Sequence, residues 1–189
     1  MQHQLGLSRR LAVAGYSNGG QMAIRLLHEV PELLTAVVLI GATQPTADNL
    51  LVDDRHGSVP VLMIHGTRDP IVPYEGGVAS LFGWRPRGTG LSAPASAGYY
   101  ATRKGVAASP TEPVDLPSRA DSTGTSVTRQ RHQQTGKSPV ELYTVHGGGH
   151  VVPNQHTRAL RLLGRTTHDI ETGELLWTFV QALAQPPGP

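Results

Sequence analysis

Apolar residues in this chain come in short bursts, and the spacing within each burst differs. Leu11-Ala12-Val13-Ala14, Ala36-Val37-Val38-Leu39-Ile40 and Val59-Pro60-Val61-Leu62-Met63-Ile64 are apolar at every position. Continuous runs of this length predict strands covered on both faces. Between the first two, Met22, Ala23, Leu26 and Leu27 recur at helical spacing over 21–29, and Pro31 lies just beyond. Strand, helix, strand in that order predicts a βαβ unit and hence a parallel sheet. Over 140–145, Val-Glu-Leu-Tyr-Thr-Val alternates, which predicts a strand nearer the edge of that sheet. Ile170, Leu175, Leu176, Phe179, Val180 and Leu183 form the stripe of a last helix spanning 166–184, and the tail 185–189 cannot continue it.

Composition changes this picture in one stretch. The 22 Gly and 15 Pro demand many turns, and 75–125 holds a dense share of them with Ser and Ala. That stretch reads as an irregular, cap-like insertion with a helix near 95–104 and an exposed loop over 109–124. The chain's 189 residues fit a single domain, and an apolar content of 38% permits a sizeable core. A net charge of +2 is too small for a nucleic-acid footprint. No apolar run approaches the roughly 20 residues of a membrane span. With no Cys, disulfides, thiolate metal sites and cysteine nucleophiles are excluded. No secretory signal is read at the start.

The sharpest motif is Gly15-Tyr16-Ser17-Asn18-Gly19, a G-x-S-x-G between a strand and a helix. In that context the serine stands at the tip of a tight turn, and the amide of Asn18 points where an oxyanion would develop. A serine hydroxyl needs a base, and the base needs a carboxylate to orient it. Asp69 follows the strand 59–64 in the turn at its carboxyl end, where open α/β sheets place their sites. Asp53 and Asp54 precede that strand, and Asp115 and Asp121 lie in the irregular region. For the base, His150 and His146 flank three glycines directly after the strand 140–145, while His65 reads as a near-core histidine. The text His146-Gly147-Gly148-Gly149 matches a lipase oxyanion loop, but that loop belongs upstream of the nucleophile. The spacing of His146 and His150 also matches helical zinc ligands, yet glycines between them disfavour a helix, so no metal is expected.

Three segments together resemble a known family. They are Gly15-Tyr16-Ser17-Asn18-Gly19-Gly20-Gln21-Met22-Ala23, the run from Ile64-His65-Gly66-Thr67-Arg68-Asp69-Pro70 to Gly77, and Val140 through Val145-His146-Gly147-Gly148-Gly149-His150. In this order the chain is similar to the polyhydroxybutyrate depolymerase and feruloyl esterase group of α/β-hydrolases. The resemblance implies an α/β-hydrolase fold, a mostly parallel sheet flanked by helices, and a serine esterase needing no cofactor. It implies Ser17 as nucleophile, His150 as base, Asp69 as its orienting acid and the Asn18 amide as an oxyanion donor. Its substrate would be a small or oligomeric ester.

Two departures refine the expectation. Val151 and Val152 stand where the family often has an aromatic, and Phe82, Trp84, Tyr99 and Tyr100 are the main aromatics of the presumed cap. No polymer-gripping platform is evident in them, which favours a soluble ester over crystalline polyester. In addition, only about ten residues precede the nucleophile strand, so the chain reads as the C-terminal part of a larger domain lacking the N-terminal strands. Such a sheet would expose an apolar edge open to self-association. An inactive hydrolase remnant and a serine peptidase of the same fold are the alternatives.

Overall fold

Residues 11–81, 83–106, 109–157 and 159–184 are described in a computed structural model of the chain. The first βαβ unit is present: β1 (Leu11–Tyr16), α1 (Asn18–Glu29) and β2 (Leu34–Ile40). β3 (Val61–Gly66) and β8 (Lys137–His146) extend the sheet, and β1, β2, β3 and β8 run parallel. β7 (Ser126–Gln134) adds antiparallel to β8, and the two-residue β6 (Val114–Asp115) follows, giving the order β1-β2-β3-β8-β7-β6. A separate hairpin, β4 (Gly77–Leu81) and β5 (Trp84–Gly90), precedes α2 (Ala93–Arg103), and α3 (Thr172–Ala184) closes the described chain.

The continuous apolar runs exist because the sheet carries a core on each face. Val37, Leu39, Val61, Met63, Val140 and Leu142 point toward α1 and α2, packing with Ala23, Ile24, Leu27, Ala97 and Tyr100. Their neighbours Ala36, Val38, Ile40, Leu62, Ile64, Tyr143 and Val145 point the other way, where Ile170 and Phe179 close the second core. Strict alternation between two apolar environments produces an unbroken hydrophobic string.

Several elements differ from the sequence pattern. The strand over 140–145 is interior: β8 pairs with β3 on one side and β7 on the other. β7 reads SVTRQRHQQ, too polar to announce itself, yet its backbone ladder to β8 needs no apolar side chains. The last helix starts at Thr172, not Thr166, because the preceding residues are tied elsewhere. The Thr172 hydroxyl donates to the Pro153 carbonyl and the His168 amide donates to Ser122 Oγ. α2 begins earlier than its apolar spacing suggests, because Ser92 caps it by accepting from the Ala95 amide at 3.1 Å. Phe82 and the tail 185–189 lie outside the described residues.

Candidate active site

β1 ends at Tyr16 and α1 begins at Asn18, so Ser17 alone makes the turn between them. Its backbone has φ 55° and ψ −119°, a conformation that residues with a Cβ seldom adopt. The turn can be this tight because Gly15 lacks a side chain: a Cβ there would lie 2.2 Å from the Gly19 carbonyl oxygen. Gly20 serves the exit of β2 in the same way, since its Cβ would come 2.5 Å from that of Ala42. A serine at a helix N-cap ordinarily accepts from first-turn amides. Ser17 makes no such bond, and its Oγ lies 2.8 Å from His150 Nε2.

Asp69 follows β3, as the sequence suggests. One carboxylate oxygen accepts from the amides of Ile71 and Val72, both at 2.8 Å, which fixes the side chain in an Asx-type turn. The other oxygen lies 2.7 Å from His150 Nδ1, and both side chains are almost wholly buried. A carboxylate only accepts, so Nδ1 carries the proton and Nε2 is left to accept the Ser17 hydroxyl. His65 lies 3.6 Å from the same carboxylate oxygen but donates its Nε2–H to the Val72 carbonyl at 2.9 Å. Burial, first of all, lowers its pKa below the ordinary 6.5, which keeps the ring neutral beside Asp69.

His150 reaches Ser17 because the glycines before it lie where no side chain fits. A Cβ on Gly66 would strike the carbonyl oxygens of Gly148 and Gly149 at 2.4 and 2.5 Å, and one on Gly149 would lie 2.0 Å from that of Leu163. The loop is thus threaded between the end of β3 and residues 163–165. It is held there by Arg68 N to Gly148 O at 2.8 Å and His150 N to Leu163 O at 2.7 Å. Gly41 (φ 56°) leaves room for the imidazole, whose Cε1 and Nδ1 lie 3.1 Å from where its Cβ would stand.

The other sequence candidates fall away from this cluster. His146 is exposed at the end of β8 and pairs through Nε2 with Thr128 Oγ1 at 2.9 Å. Asp54 binds Arg103, which with a smaller contribution from the His56 amide holds its carboxyl at about 2, and Asp121 pairs with Arg119. Tyr16 and Gly41 were not singled out by the sequence. The Tyr16 hydroxyl donates to the His150 carbonyl at 2.8 Å, and its ring centroid lies 5.0 Å from the imidazole's. Burial and then the charge of Asp69 raise its pKa, so it stays a donor. Its one visible signal is its place beside Ser17.

Ser17 opens onto a cleft of about 440 Å³. Asn18, Gln21 and Thr43 line it beside Ser17, and the hairpin β4–β5 lines it through Ala79, Leu81, Arg87 and Thr89. Ile71 and Val72 add apolar lining. Within the irregular stretch 75–125, this hairpin is the part that meets the cleft.

A mostly parallel sheet with helices on both faces, a serine turn after one strand, and Asp69 and His150 in loops after two others define an α/β-hydrolase fold. The comparisons agree: residues 2–81 match the family model described as phospholipase/carboxylesterase, a segment that includes Ser17 and Asp69. The chain is also 28% identical over 144 residues to the protein called "Putative esterase NocK" from Nocardia uniformis subsp. tsuyamanensis. That match covers 74% of this chain and 41% of the relative, so it spans less than half of the relative's length. Fold and matches together place the chain in the α/β-hydrolase superfamily.

Proposed function

We propose that the protein is a serine carboxylic-ester hydrolase, with Ser17 as nucleophile, His150 as general base and Asp69 orienting the histidine. The observation that carries this reading is the choice made by Ser17 Oγ, which leaves its helix uncapped and takes a hydrogen bond with His150 instead. Ser17 attacks the ester carbonyl as its proton passes to His150 Nε2. The oxyanion accepts from the Asn18 amide at the positive end of α1. Collapse expels the alcohol, which takes the proton from His150 and leaves an acyl-Ser17. Water, deprotonated by the same nitrogen, then releases the acid. No cofactor enters this sequence.

The esterase label of the matched family and relative supports the reaction class. The acid and histidine segments support a polyhydroxybutyrate depolymerase or feruloyl esterase-like relation, and the cleft's size suits a small or oligomeric ester. Self-association along β1, an outer strand of the sheet among the described residues, on which Leu11 is 47% exposed, belongs to the same reading. Turnover of p-nitrophenyl acetate and butyrate, compared with Ser17→Ala, tests the proposal. Wild-type hydrolysis should fall by at least about 10⁴-fold in the variant, and equal turnover by both proteins would contradict the assignment.

A further inference from the structure

We infer that the ester this cleft selects carries a negative charge away from the scissile bond, and that Arg87 reads it. The inference rests on the serine-esterase reading and adds the charge class of the substrate. Arg87 is the one charged residue among those lining the cleft, where Ser17, Asn18, Gln21, Thr43, Asn49 and Thr89 supply neutral polar groups. Its side chain makes no ion pair or hydrogen bond among the described residues, a state it shares with Arg68 and Arg85, which do not line the cleft. Arg87 is exposed on β5, so a cation at a cleft without a carboxylate among its lining residues is open to a ligand anion.

The backbone that presents Arg87 is fixed. The carbonyl of Thr89 accepts from the Thr46 amide at 3.0 Å and from Asn49 Nδ2 at 3.3 Å, and Leu91 N donates to Gln44 O at 2.8 Å. On the other strand Ser80 N donates to Ile71 O at 2.9 Å. Gly88, next to Arg87, has φ 102° and lies so close to Asn49 that a Cβ would stand 2.3 Å from its amide nitrogen. The hairpin is therefore anchored on both strands to loops that also line the cleft. Arg87 thus stands on an anchored strand of the hairpin rather than on its tip. A monoester of a dicarboxylic acid fits this arrangement: its ester meets Ser17 and its free carboxylate meets the guanidinium. Hydrolysis consumes one water and yields the diacid and the alcohol.

The test compares methanol release from monomethyl adipate and monomethyl suberate with release from their neutral dimethyl esters, in wild type, R87K, R87Q and R87E. The neutral ester reports the serine chemistry, and the anionic-to-neutral ratio of kcat/KM reports Arg87. For at least one chain length the ratio should fall roughly five- to tenfold in R87Q, fall further in R87E and largely survive in R87K. The loss should appear in KM rather than kcat, and the wild-type ratio should shrink as NaCl is raised to about 0.5 M. A ratio unchanged by R87Q and R87E, with the neutral esters still hydrolysed, overturns the role of Arg87 and leaves the esterase intact. Failure of wild type to hydrolyse any of the esters, with Ser17 unreactive to a fluorophosphonate, overturns both.

Discussion

Gly15 and Gly19 look equivalent in the motif, but the backbone treats them differently. A Cβ on Gly15 would collide with the Gly19 carbonyl, whereas a Cβ on Gly19 meets nothing within 4 Å and the residue lies inside α1. Gly15→Ala should therefore cost about 1–3 kcal/mol or more of stability and displace Ser17. Gly19→Ala should be neutral or stabilising by up to about 1 kcal/mol, because alanine is the better helix former. Urea denaturation of the two variants measures the contrast. At Asp69, exchange for Asn keeps a carbonyl oxygen for the Ile71 and Val72 amides but offers His150 Nδ1 a donor in place of an acceptor. The ring then favours the wrong tautomer, and Asp69→Asn should lower kcat about 10⁴-fold while the unfolding midpoint stays close to wild type. Steady-state kinetics beside a melt separates these two effects.

At the scale of elements, the hairpin β4–β5 lines part of the cleft without supplying Ser17, His150 or Asp69. Gly88→Val would force Asn49 aside and move that part of the lining. The expected result is a KM raised roughly tenfold with kcat changed less, since the Ser17–His150–Asp69 cluster rests on other loops. What could be read from the sequence divides along the same line. The strand runs 36–40 and 59–64 and the G-x-S-x-G turn were legible because burial on both faces and a one-residue turn leave strong local marks. The placement of Asp69 and His150 in loops after strands was legible too, and the structure brings the two side chains within 2.7 Å. The hairpin and β7 were not, because Gly77, Pro86, Arg129 and Arg131 violate strand patterns even though each pairing closes across a two-residue turn. His146 could not be separated from His150 by spacing alone. The difference is made by the threading of the 147–149 backbone past Gly66, which only the tertiary structure contains.

For the whole molecule, two buried histidines couple folding to pH. His28 in α1 lies between the Ile24 carbonyl at 2.7 Å and the Tyr99 hydroxyl at 2.8 Å, and burial lowers its pKa below 6.5, as it does for His65. The unfolded chain thus binds protons that the folded chain refuses. Stability is fully present above pH 6.5 and declines as pH falls below it toward each folded value, by at most about 1.4 kcal/mol per pH unit for each histidine. Asp54 acts in a lower window: its contribution is complete above 3.8 and is lost as pH falls toward 2. Urea midpoints taken between neutral and mildly acid pH should show the decline, and His28→Gln should flatten it. A midpoint independent of pH across that range would contradict the burial argument.

Ester hydrolysis by this protein requires Ser17 to be a nucleophile activated by His150. Peptide mapping after treatment with a fluorophosphonate tests that directly. The predicted result is one adduct per chain, on the peptide containing Ser17, absent in Ser17→Ala and slowed by orders of magnitude in His150→Ala. An unmodified Ser17, or labelling that proceeds equally well without His150, would contradict the central claim.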